Sequence, residues 1–357
     1  MAIGKVKSFV AFTLLALCVV SFSIGTAQAA KKIVMRANIE QNPKSYPDDP
    51  RVMGTIKFQE LMKQKVGDKF EVQIFWDSQL AKNFEASVNG LQTGLFHLSA
   101  IPMAAMYEYT KSMLPMVNLF VIPYPHVEIA YAVFDGKGGE LIREKCISDT
   151  GLRPLVFWEV GFRHLTSVKK PIHTLEDLKG MKIRVQPNPV HIAAFRNLGA
   201  NPTPIAWGEL FTALQQGVVD GAENPFNNIE VARLYEPQKQ LTLTGHAFEA
   251  PAYLTNEKWY QALPADVKKA FDESWVEATA YVREQMAIKD KKYVEFLGSK
   301  MEFYSLPDAE LARFREAVKP SYEISLKETG KEYYDALMGE IKKEEEAYFA
   351  RHPELKK

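Results

Sequence analysis

Short apolar stretches alternate with longer segments of helical periodicity along most of the chain. Residues 33–37 and Phe70–Phe75 have the β-branched or alternating pattern of strands. Between them, residues 52–66 repeat apolar side chains at helical spacing as far as Gly67, which predicts a helix that ends at this glycine. The same criteria predict a helix over 84–92 and strands over 96–101 and 154–158. This succession predicts βαβ units and a mostly parallel sheet.

One segment near the C-terminal end is far longer than the others. Residues 264–298 repeat apolar side chains at spacings of three and four, which predicts one helix of roughly 50 Å at about 1.5 Å per residue. A helix of that length could run across two lobes. The charge run over 342–346 is predicted to be the solvated face of a second helix, with ion pairs four residues apart.

The chain has 357 residues, which is more than one ordinary core holds, and the βα rhythm resumes after Gly151. We therefore predict an α/β fold of two lobes. Lobe I is predicted over 30–160 plus about 249–288, and lobe II over 161–248 plus about 289–357. No repeat or glycine-rich linker divides the chain, which indicates that several crossing segments join the lobes.

The N-terminal residues have the pattern of an export signal. Two lysines precede an apolar run over 9–20, and Ala27 and Ala29 form an A-x-A cleavage pattern, which predicts a signal peptide over 1–29. The alternative is a transmembrane anchor, but the apolar run is shorter than the roughly 20 residues that span a bilayer. We therefore predict a periplasmic protein without stable membrane insertion once the signal is removed.

Cysteine usage agrees with that prediction. Cys18 would be lost with the signal, so Cys146 would be alone in the mature chain and no intramolecular disulfide could form. A lipoprotein signal at Cys18 is disfavoured, because a bulky leucine precedes the cysteine where a small residue is expected.

Charge and motif content narrow the function classes. Lysine plus arginine equal aspartate plus glutamate at 44 each, so the chain has no global basic field to attract nucleic acid. It contains no H-E-x-x-H, no G-x-S-x-G and no Walker loop. His164 and His173 are isolated, and we interpret both as structural. We therefore predict a binding protein rather than an enzyme, with no metal site and no cofactor.

The strongest candidate for binding chemistry is Arg184. It lies within the strand pattern over 182–185, after which Asn188 and Pro189 form the start of a helix that should stop at Gly199. A guanidinium in a strand that looks buried needs an anion to pair with. Open α/β sheets bind ligands beyond the carboxyl ends of their strands. We therefore predict that the anion is the carboxylate of a small ligand.

Three other residues of the same region could join Arg184, and each also has a simpler explanation. Arg163, predicted just after a strand, could instead pair with Glu159. Asn224 could be only the cap of the helix that follows it. Trp207, at the start of another helix, could belong to the core. Their clustering in the sequence favours a shared ligand site.

The same region carries extended sequence motifs. They are K-I-R-V at 182–185, P-T-P-I-A-W-G-E-L at 202–210 and A-L-Q-Q-G-V-V-D-G-A-E-N-P at 213–225, with S-Q-L at 78–80 and F-V-I-P at 120–123. These motifs closely resemble those of the solute-binding proteins of TRAP transporters, dicarboxylate (DctP) type. The resemblance runs along almost the whole mature chain. It implies two α/β lobes around a ligand cleft, a long helix spanning both, and delivery of organic acids to a sodium-coupled membrane permease.

The resemblance also implies roles for individual residues. The carboxylate-clamping arginine of the family falls on Arg184, and a second, more variable arginine falls on Arg163. Further ligand contacts would be Asn224, Trp207 and Asn38.

The ligand itself is less defined by the sequence. Residues 101–103 are Ile-Pro-Met where the sialic-acid branch of the family carries an acidic residue, which implies a less hydroxylated and more apolar acid. We predict a periplasmic protein that closes around a small carboxylate by hinge bending. Three alternatives stay open: a binding protein of an ATP-driven importer, a secreted enzyme acting on an organic acid, and a structural scaffold.

Overall fold

The computed structural model describes residues 32–44, 47–168 and 170–355. The predicted signal peptide over 1–29 lies outside these residues. The strands are β1 Ile33–Asn38, β2 Phe70–Phe75, β3 Leu98–Ile101, β4 Leu152–Phe157, β5 Gly161–Ser167, β6 Lys182–Val185, β7 Asn201–Pro204, β8 Gly221–Pro225, β9 Gln240–Glu249, β10 Ala252–Asn256 and β11 Glu302–Ser305. The helices are α1 Pro50–Val66, α2 Phe84–Thr93, α3 Val127–Asp135, α4 Lys137–Thr150, α5 Pro189–Asn197, α6 Leu210–Gln215, α7 Phe226–Val231, α8 Glu257–Gln261, α9 Ala265–Gly298, α10 Asp308–Val318, α11 Tyr322–Thr329 and α12 Lys331–Arg351.

Two sheets organise these elements into a two-lobed α/β fold, as predicted. The first sheet has the strand order β2-β1-β3-β10-β4, and the second has the order β11-β9-β5-β8-β6-β7. The predicted βαβ rhythm is present in β1, β2 and β3, which pair in parallel. It is also present in β6, β7 and β8 of the second sheet.

The prediction of mostly parallel sheets is wrong for two central strands. In the first sheet, β10 is antiparallel to both of its neighbours, β3 and β4. In the second sheet, β5 is antiparallel to β8 and β9. Both strands follow directly on a strand of the other sheet, without the helical crossover that parallel neighbours require. The periodicity of apolar residues does not distinguish parallel from antiparallel pairing.

Two short connections between the sheets run side by side. The chain passes from β4 into β5 and later returns from β9 into β10. The backbone N–H of Trp158 donates to the carbonyl of Pro251 at 3.3 Å, and that of Val160 donates to the carbonyl of Glu249 at 2.8 Å. The sheets are therefore joined by several chain segments, as the missing linker indicated.

The predicted long helix is present as α9, with 34 residues. Trp275, in its first half, packs in the core of the first lobe and stacks on Phe58 of α1 with ring centroids 4.1 Å apart. Leu297, near its last turn, packs instead with Leu241 of the second sheet. One helix therefore contributes to the cores of both lobes.

The C-terminal helix α12 packs differently from the prediction. Leu337 and Ile341 are buried in the same cluster as the apolar residues of α3 and α4, which belong to the predicted lobe I. The predicted lobe II includes residues 289–357, whereas this helix packs on two helices of the predicted lobe I; the lobe boundaries stay predictions. Its charged face is solvated as predicted, with Lys342 and Glu346 3.7 Å apart.

The helix ends follow the residues that the sequence indicated. α1 ends before Gly67, and α2 ends before Gly94, which has a left-handed φ of 74°. Asn188 accepts a hydrogen bond from the backbone N–H of Val190 at 2.9 Å and so caps α5. Across the described ranges, none of the helices has the length and apolar character needed to span a bilayer.

Candidate functional site

A cavity of about 740 Å³ lies between the two sheets. One wall contains Arg163 of β5, Asn224 of β8 and Arg184 of β6. These strands are consecutive in the second sheet, so three predicted site residues from distant parts of the sequence come together. The opposite wall contains Ala100 of β3 and Tyr253 of β10, in the first sheet.

Arg184 reaches this cavity with most of its hydrogen-bonding capacity unused. The side chain is buried, and Nε donates to the carbonyl of Ile205 at 2.9 Å. Within the described part of the chain, no residue accepts a hydrogen bond from Nη1 or Nη2, and no carboxylate forms an ion pair with Arg184. Burial without a counter-ion lowers the pKa of the guanidinium to about 10, so it is still protonated at neutral pH.

Arg163, by contrast, is already paired inside the protein. It lies within β5 rather than after a strand, and it is 1% exposed. Its Nε is 2.5 Å from Oε2 of Glu223, and its Nη1 is 2.9 Å from Oε2 of Glu249. The alternative pairing of Arg163 with Glu159 is therefore wrong, because neighbouring strands bring two other acids closer.

The two acids respond differently to the shared arginine. Burial disfavours ionisation of both. For Glu223, the charge of Arg163 and a contact with His246 outweigh burial and hold the pKa of the carboxyl well below its usual range. For Glu249, burial outweighs the attraction of Arg163, so the pKa of this carboxyl is raised. Glu249 is consequently the less well compensated acid of the pair.

Asn224 does not cap the helix that follows it, so that alternative is wrong. It lies in β8, and α7 begins at Phe226 without a side-chain cap. Its Oδ1 instead accepts a hydrogen bond from Nη2 of Arg163 at 3.3 Å. The Nδ2 group is buried and has no partner among the described residues. The guanidinium of Arg163 can only donate hydrogen bonds, so it must face the amide oxygen of Asn224. The Nδ2 group is therefore the part of the amide that points away from Arg163.

Trp207 and Asn38 have different outcomes. Trp207 is half-buried and lines the cavity, and it also packs against the core that contains Leu210, so its contact with a ligand stays a prediction. Asn38 is buried and does not line the cavity, contrary to the resemblance. Its Oδ1 accepts from the N–H of Leu80 at 3.0 Å, and its Nδ2 donates to the carbonyl of Ala81 at 3.3 Å. These bonds use the amide to hold the loop after β2.

Three residues of the site were missed in the sequence: Glu223, Glu249 and Gln186. Gln186 Nε2 is 3.2 Å from Oε2 of Glu249 and donates to it. Both acids lie in segments of apolar character. A charge in a buried strand needs a partner, so the same signal that marks Arg184 also marks Glu223 and Glu249. Gln186 carries no comparable signal.

A third arginine at the cavity is also neutralised. Arg51 of α1 pairs with Asp49, with Nε 3.0 Å from Oδ1 and Nη2 2.6 Å from Oδ2. The same Nη2 donates to Oδ1 of Asn227 in α7 at 3.0 Å. Arg51 therefore links the two lobes at the side of the cavity and carries its own counter-ion.

Acidic residues occupy the first-lobe side of the cavity. Four carboxylates with exposed side chains line it: Glu40, Asp77, Glu85 and Glu108. They project from segments that follow strands β1, β2 and β3 or from the start of α2. The cavity is thus asymmetric, with an unpaired cation on one side and carboxylates on the other.

The isolated histidines and cysteine do not form a second centre. Among residues 32–44, 47–168 and 170–355, no group of three or more His, Cys, Asp and Glu side chains could hold a metal ion. His164 is buried, which lowers its pKa to about 3, and it stacks on Phe226. Cys146 is a free, buried thiol whose pKa is raised to about 11 by burial.

Comparison with known proteins identifies this architecture. Residues 44–329 match the family model for bacterial extracellular solute-binding protein, family 7 (DctP). The chain is 29% identical to the C4-dicarboxylate-binding periplasmic protein DctP of Rhodobacter capsulatus over 295 residues, which cover 82% of this chain and 87% of that protein.

Two solved structures are similar in both sequence and shape. A TRAP periplasmic solute-binding protein from Ochrobactrum anthropi, with a C-terminus bound in its ligand pocket, is 32% identical at a TM-score of 0.80, covering 90% of this chain and 98% of that one. The sugar-acid-binding protein DctPAm from Advenella mimigardefordensis, in complex with galactonate, is 27% identical at a TM-score of 0.80, covering 88% and 99%.

Proposed function

The chain belongs to the bacterial extracellular solute-binding proteins of family 7, and from that premise we propose that its cavity captures a small organic acid for delivery to a TRAP-type secondary transporter. The family consists of binding proteins, so the cavity is a place where a solute is held. The observation that carries the proposal is the unpaired guanidinium of Arg184 at the cavity.

The ligand carboxylate would replace the missing counter-ion of Arg184. Nε is held by the carbonyl of Ile205 at 2.9 Å, which orients the guanidinium while leaving both terminal nitrogens for the ligand. Two parallel N–H···O bonds to a carboxylate match the planar geometry of such a group. In a cavity shielded from water this charge pair is stronger than on the surface.

The remaining predicted residues would act around that clamp. Asn224 offers its unused Nδ2 group as a hydrogen-bond donor. Arg163 acts indirectly, because it fixes Asn224 from behind while its own charge is taken by Glu223 and Glu249. The half-buried ring of Trp207 would cover the ion pair between Arg184 and the ligand.

Closure of the lobes would complete the site. The two connections between the sheets are paired through Trp158 and Val160, and they can bend together as a hinge. Ligand bound to both walls of the cavity would stabilise the closed arrangement, because only that arrangement offers both sets of contacts. The closed form would be the one that a membrane permease recognises.

The family description supports a proposal for location and partners. The family description is extracellular, and with the signal predicted over 1–29 it supports action in the periplasm. The partner would be the membrane permease of a TRAP system.

A thermal-shift screen with isothermal titration calorimetry tests this function. Mono- and dicarboxylates, including hydroxy, keto and aromatic acids, would be added to the purified mature protein. Because a ligand that binds the native state raises the apparent stability, at least one acid should raise the melting temperature with 1:1 stoichiometry and be recovered unchanged. If no acid binds, the proposal fails, and if the acid is chemically converted, the protein is an enzyme.

A further inference from the structure

We infer that the site selects a monocarboxylate whose distal part carries hydrogen-bond donors, hydroxyl or ammonium, and that Glu249 excludes a second carboxylate. The inference rests on the proposed function, in which Arg184 anchors the ligand carboxylate. It adds the class of acid and assigns Glu249 as the residue that determines specificity.

The charge balance of the cavity favours a ligand with a single negative charge. Three cationic side chains line the cavity: Arg51, Arg163 and Arg184. Arg51 is paired with Asp49, while Arg163 is shared between two buried carboxylates. Arg184 therefore offers the single uncompensated positive charge among the described residues of the lining. A dicarboxylate would bring two negative charges, and its second charge would have no cation to pair with.

Three polar atoms at the cavity have no hydrogen-bond partner in the described chain. They are Oε1 of Glu249, Oε1 of Gln186 and Nδ2 of Asn224, and all three residues line the cavity. Glu249 is 6% exposed and Asn224 is 1% exposed, so neither is satisfied simply by lying on the surface. Unsatisfied buried polar atoms are costly and call for a partner.

The orientation of both amides is determined by their neighbours. Gln186 turns Nε2 towards the carboxylate of Glu249, which leaves its Oε1 as an acceptor. Asn224 turns Oδ1 towards the guanidinium of Arg163, which leaves its Nδ2 as a donor. The unused set is thus two acceptors and one donor. Arg163 and Gln186 both donate to Oε2 of Glu249, at 2.9 Å and 3.2 Å, and so favour its ionised form, which burial disfavours. A hydroxyl can both donate and accept beside this carboxylate, whereas a second ionised carboxylate only accepts and would add a like charge.

The acidic side of the cavity also disfavours a second negative charge on the ligand. Glu40, Asp77, Glu85 and Glu108 line the first-lobe wall, opposite the strands that carry Arg184. This field favours neutral or positively charged groups at the distal end of the ligand. The result departs from the more apolar acid that the resemblance implied, because the polar atoms of Glu249 and Gln186 were not visible in the sequence pattern.

A matched ligand series tests the inference on the full mature protein. Succinate, 4-hydroxybutyrate, 4-aminobutyrate and butyrate share a four-carbon chain and differ at the distal end. Adipate, 6-hydroxyhexanoate, 6-aminohexanoate and hexanoate repeat the comparison at six carbons. By calorimetry at pH 7.5, the hydroxy or amino acid of the better-fitting series should bind at least about tenfold more tightly than its dicarboxylate, the size of one modest charge repulsion. Comparison of the hydroxy acid with the amino acid in each series shows whether the site prefers a hydroxyl or an ammonium group.

Glu249→Gln isolates the excluding residue. The amide keeps an oxygen for the contacts with Arg163 and Gln186 but removes the negative charge. In this variant, the ratio of the dicarboxylate Kd to the Kd of the matching hydroxy or amino acid should fall at least about fivefold, because the dicarboxylate binds more tightly. Glu332→Gln, which removes an exposed carboxylate on α12, is the matched control and should leave the ratio unchanged. Circular dichroism and the melting temperature without ligand verify that each variant is folded.

Two results would overturn the inference while leaving the proposed function intact. One is a dicarboxylate that binds the wild type as tightly as its hydroxy and amino counterparts. The other is a folded Glu249→Gln variant whose preference ratio equals that of the wild type. Failure of every carboxylate to bind, including the sugar acids erythronate and galactonate, would instead refute the proposed function.

Discussion

The guanidinium of Arg163 meets the carboxylate of Glu223 with two nearly parallel contacts, Nε to Oε2 at 2.5 Å and Nη2 to Oε1 at 2.9 Å. Both residues are buried on neighbouring antiparallel strands. Arg184, on the other side of β8, has no such partner in the described chain. The two arginines therefore differ in what they do, although both line the same cavity.

The first prediction concerns the paired arginine. Arg163→Met should lower the free energy of unfolding of the ligand-free protein by about 3–5 kcal/mol, because it leaves Glu223 and Glu249 buried without their cation. Urea denaturation measures the change. Adding Glu223→Gln to the variant should recover part of the loss, and Arg196→Met, at an exposed position of α5, should have little effect. A loss no larger than that of the Arg196 variant would contradict the structural role.

The second prediction is the opposite pattern for Arg184. Arg184→Ala should weaken binding of the cognate acid by roughly 2–5 kcal/mol, since the ligand carboxylate would lose its charge partner. The melting temperature without ligand should stay unchanged or rise, because the substitution removes a buried charge that has no counter-ion.

Calorimetry and thermal denaturation on the same Arg184→Ala sample separate the two effects. Arg196→Met again serves as the control, at an exposed arginine on the neighbouring helix. Unchanged affinity for the acid would show that Arg184 is not the clamp.

The third prediction concerns pH and Glu159, in the connection between β4 and β5. The side chain is 5% exposed, and burial raises its pKa from 4.5 to about 7, helped by the charge of Asp290 and opposed by Tyr131 and Arg283. The folded protein therefore retains a proton that the unfolded chain has lost. Stability should fall as the pH rises from about 4.5 to about 7 and should level off above that range.

Glu159→Gln should flatten this dependence. The difference in unfolding free energy between pH 5 and pH 8 should shrink by on the order of 3 kcal/mol, at about 1.36 kcal/mol for each pKa unit. Urea denaturation at the two pH values measures it. Some dependence should persist, because burial also raises the pKa of Asp290 to about 6. Parallel pH profiles for the variant and the wild type would exclude Glu159 as the cause.

The fourth prediction concerns the close packing of α1 on α9. A Cβ atom at Gly54 would lie 2.2 Å from Cγ2 of Val282 and 3.0 Å from the ring of Trp158. Gly54→Ala should therefore destabilise the protein by about 1–3 kcal/mol, despite the better helix propensity of alanine. Gly339→Ala, in α12, meets nothing within 4 Å and should stabilise by up to about 1 kcal/mol. Thermal denaturation that shows the same sign for both variants would contradict this packing.

The sequence determined the local structure well. The long helix α9, the end of α1 at Gly67 and the cap of α5 at Asn188 all lie where their patterns placed them. These features depend on residues within a few positions of one another, so the chain near them contains the required information. The position of Arg184 in a buried strand could be predicted for the same reason.

Only the tertiary structure decided the partners of buried charges. Arg163 and Glu249 are 86 positions apart, and they meet because β5 and β9 are neighbours in a sheet whose order no local pattern specifies. The same holds for α12, which packs on α3 and α4. A charge in a buried strand shows in the sequence that some partner is required. Which atom is that partner depends on the distances between strands. These distances give Arg163 its carboxylate partners and leave Arg184 free for a ligand.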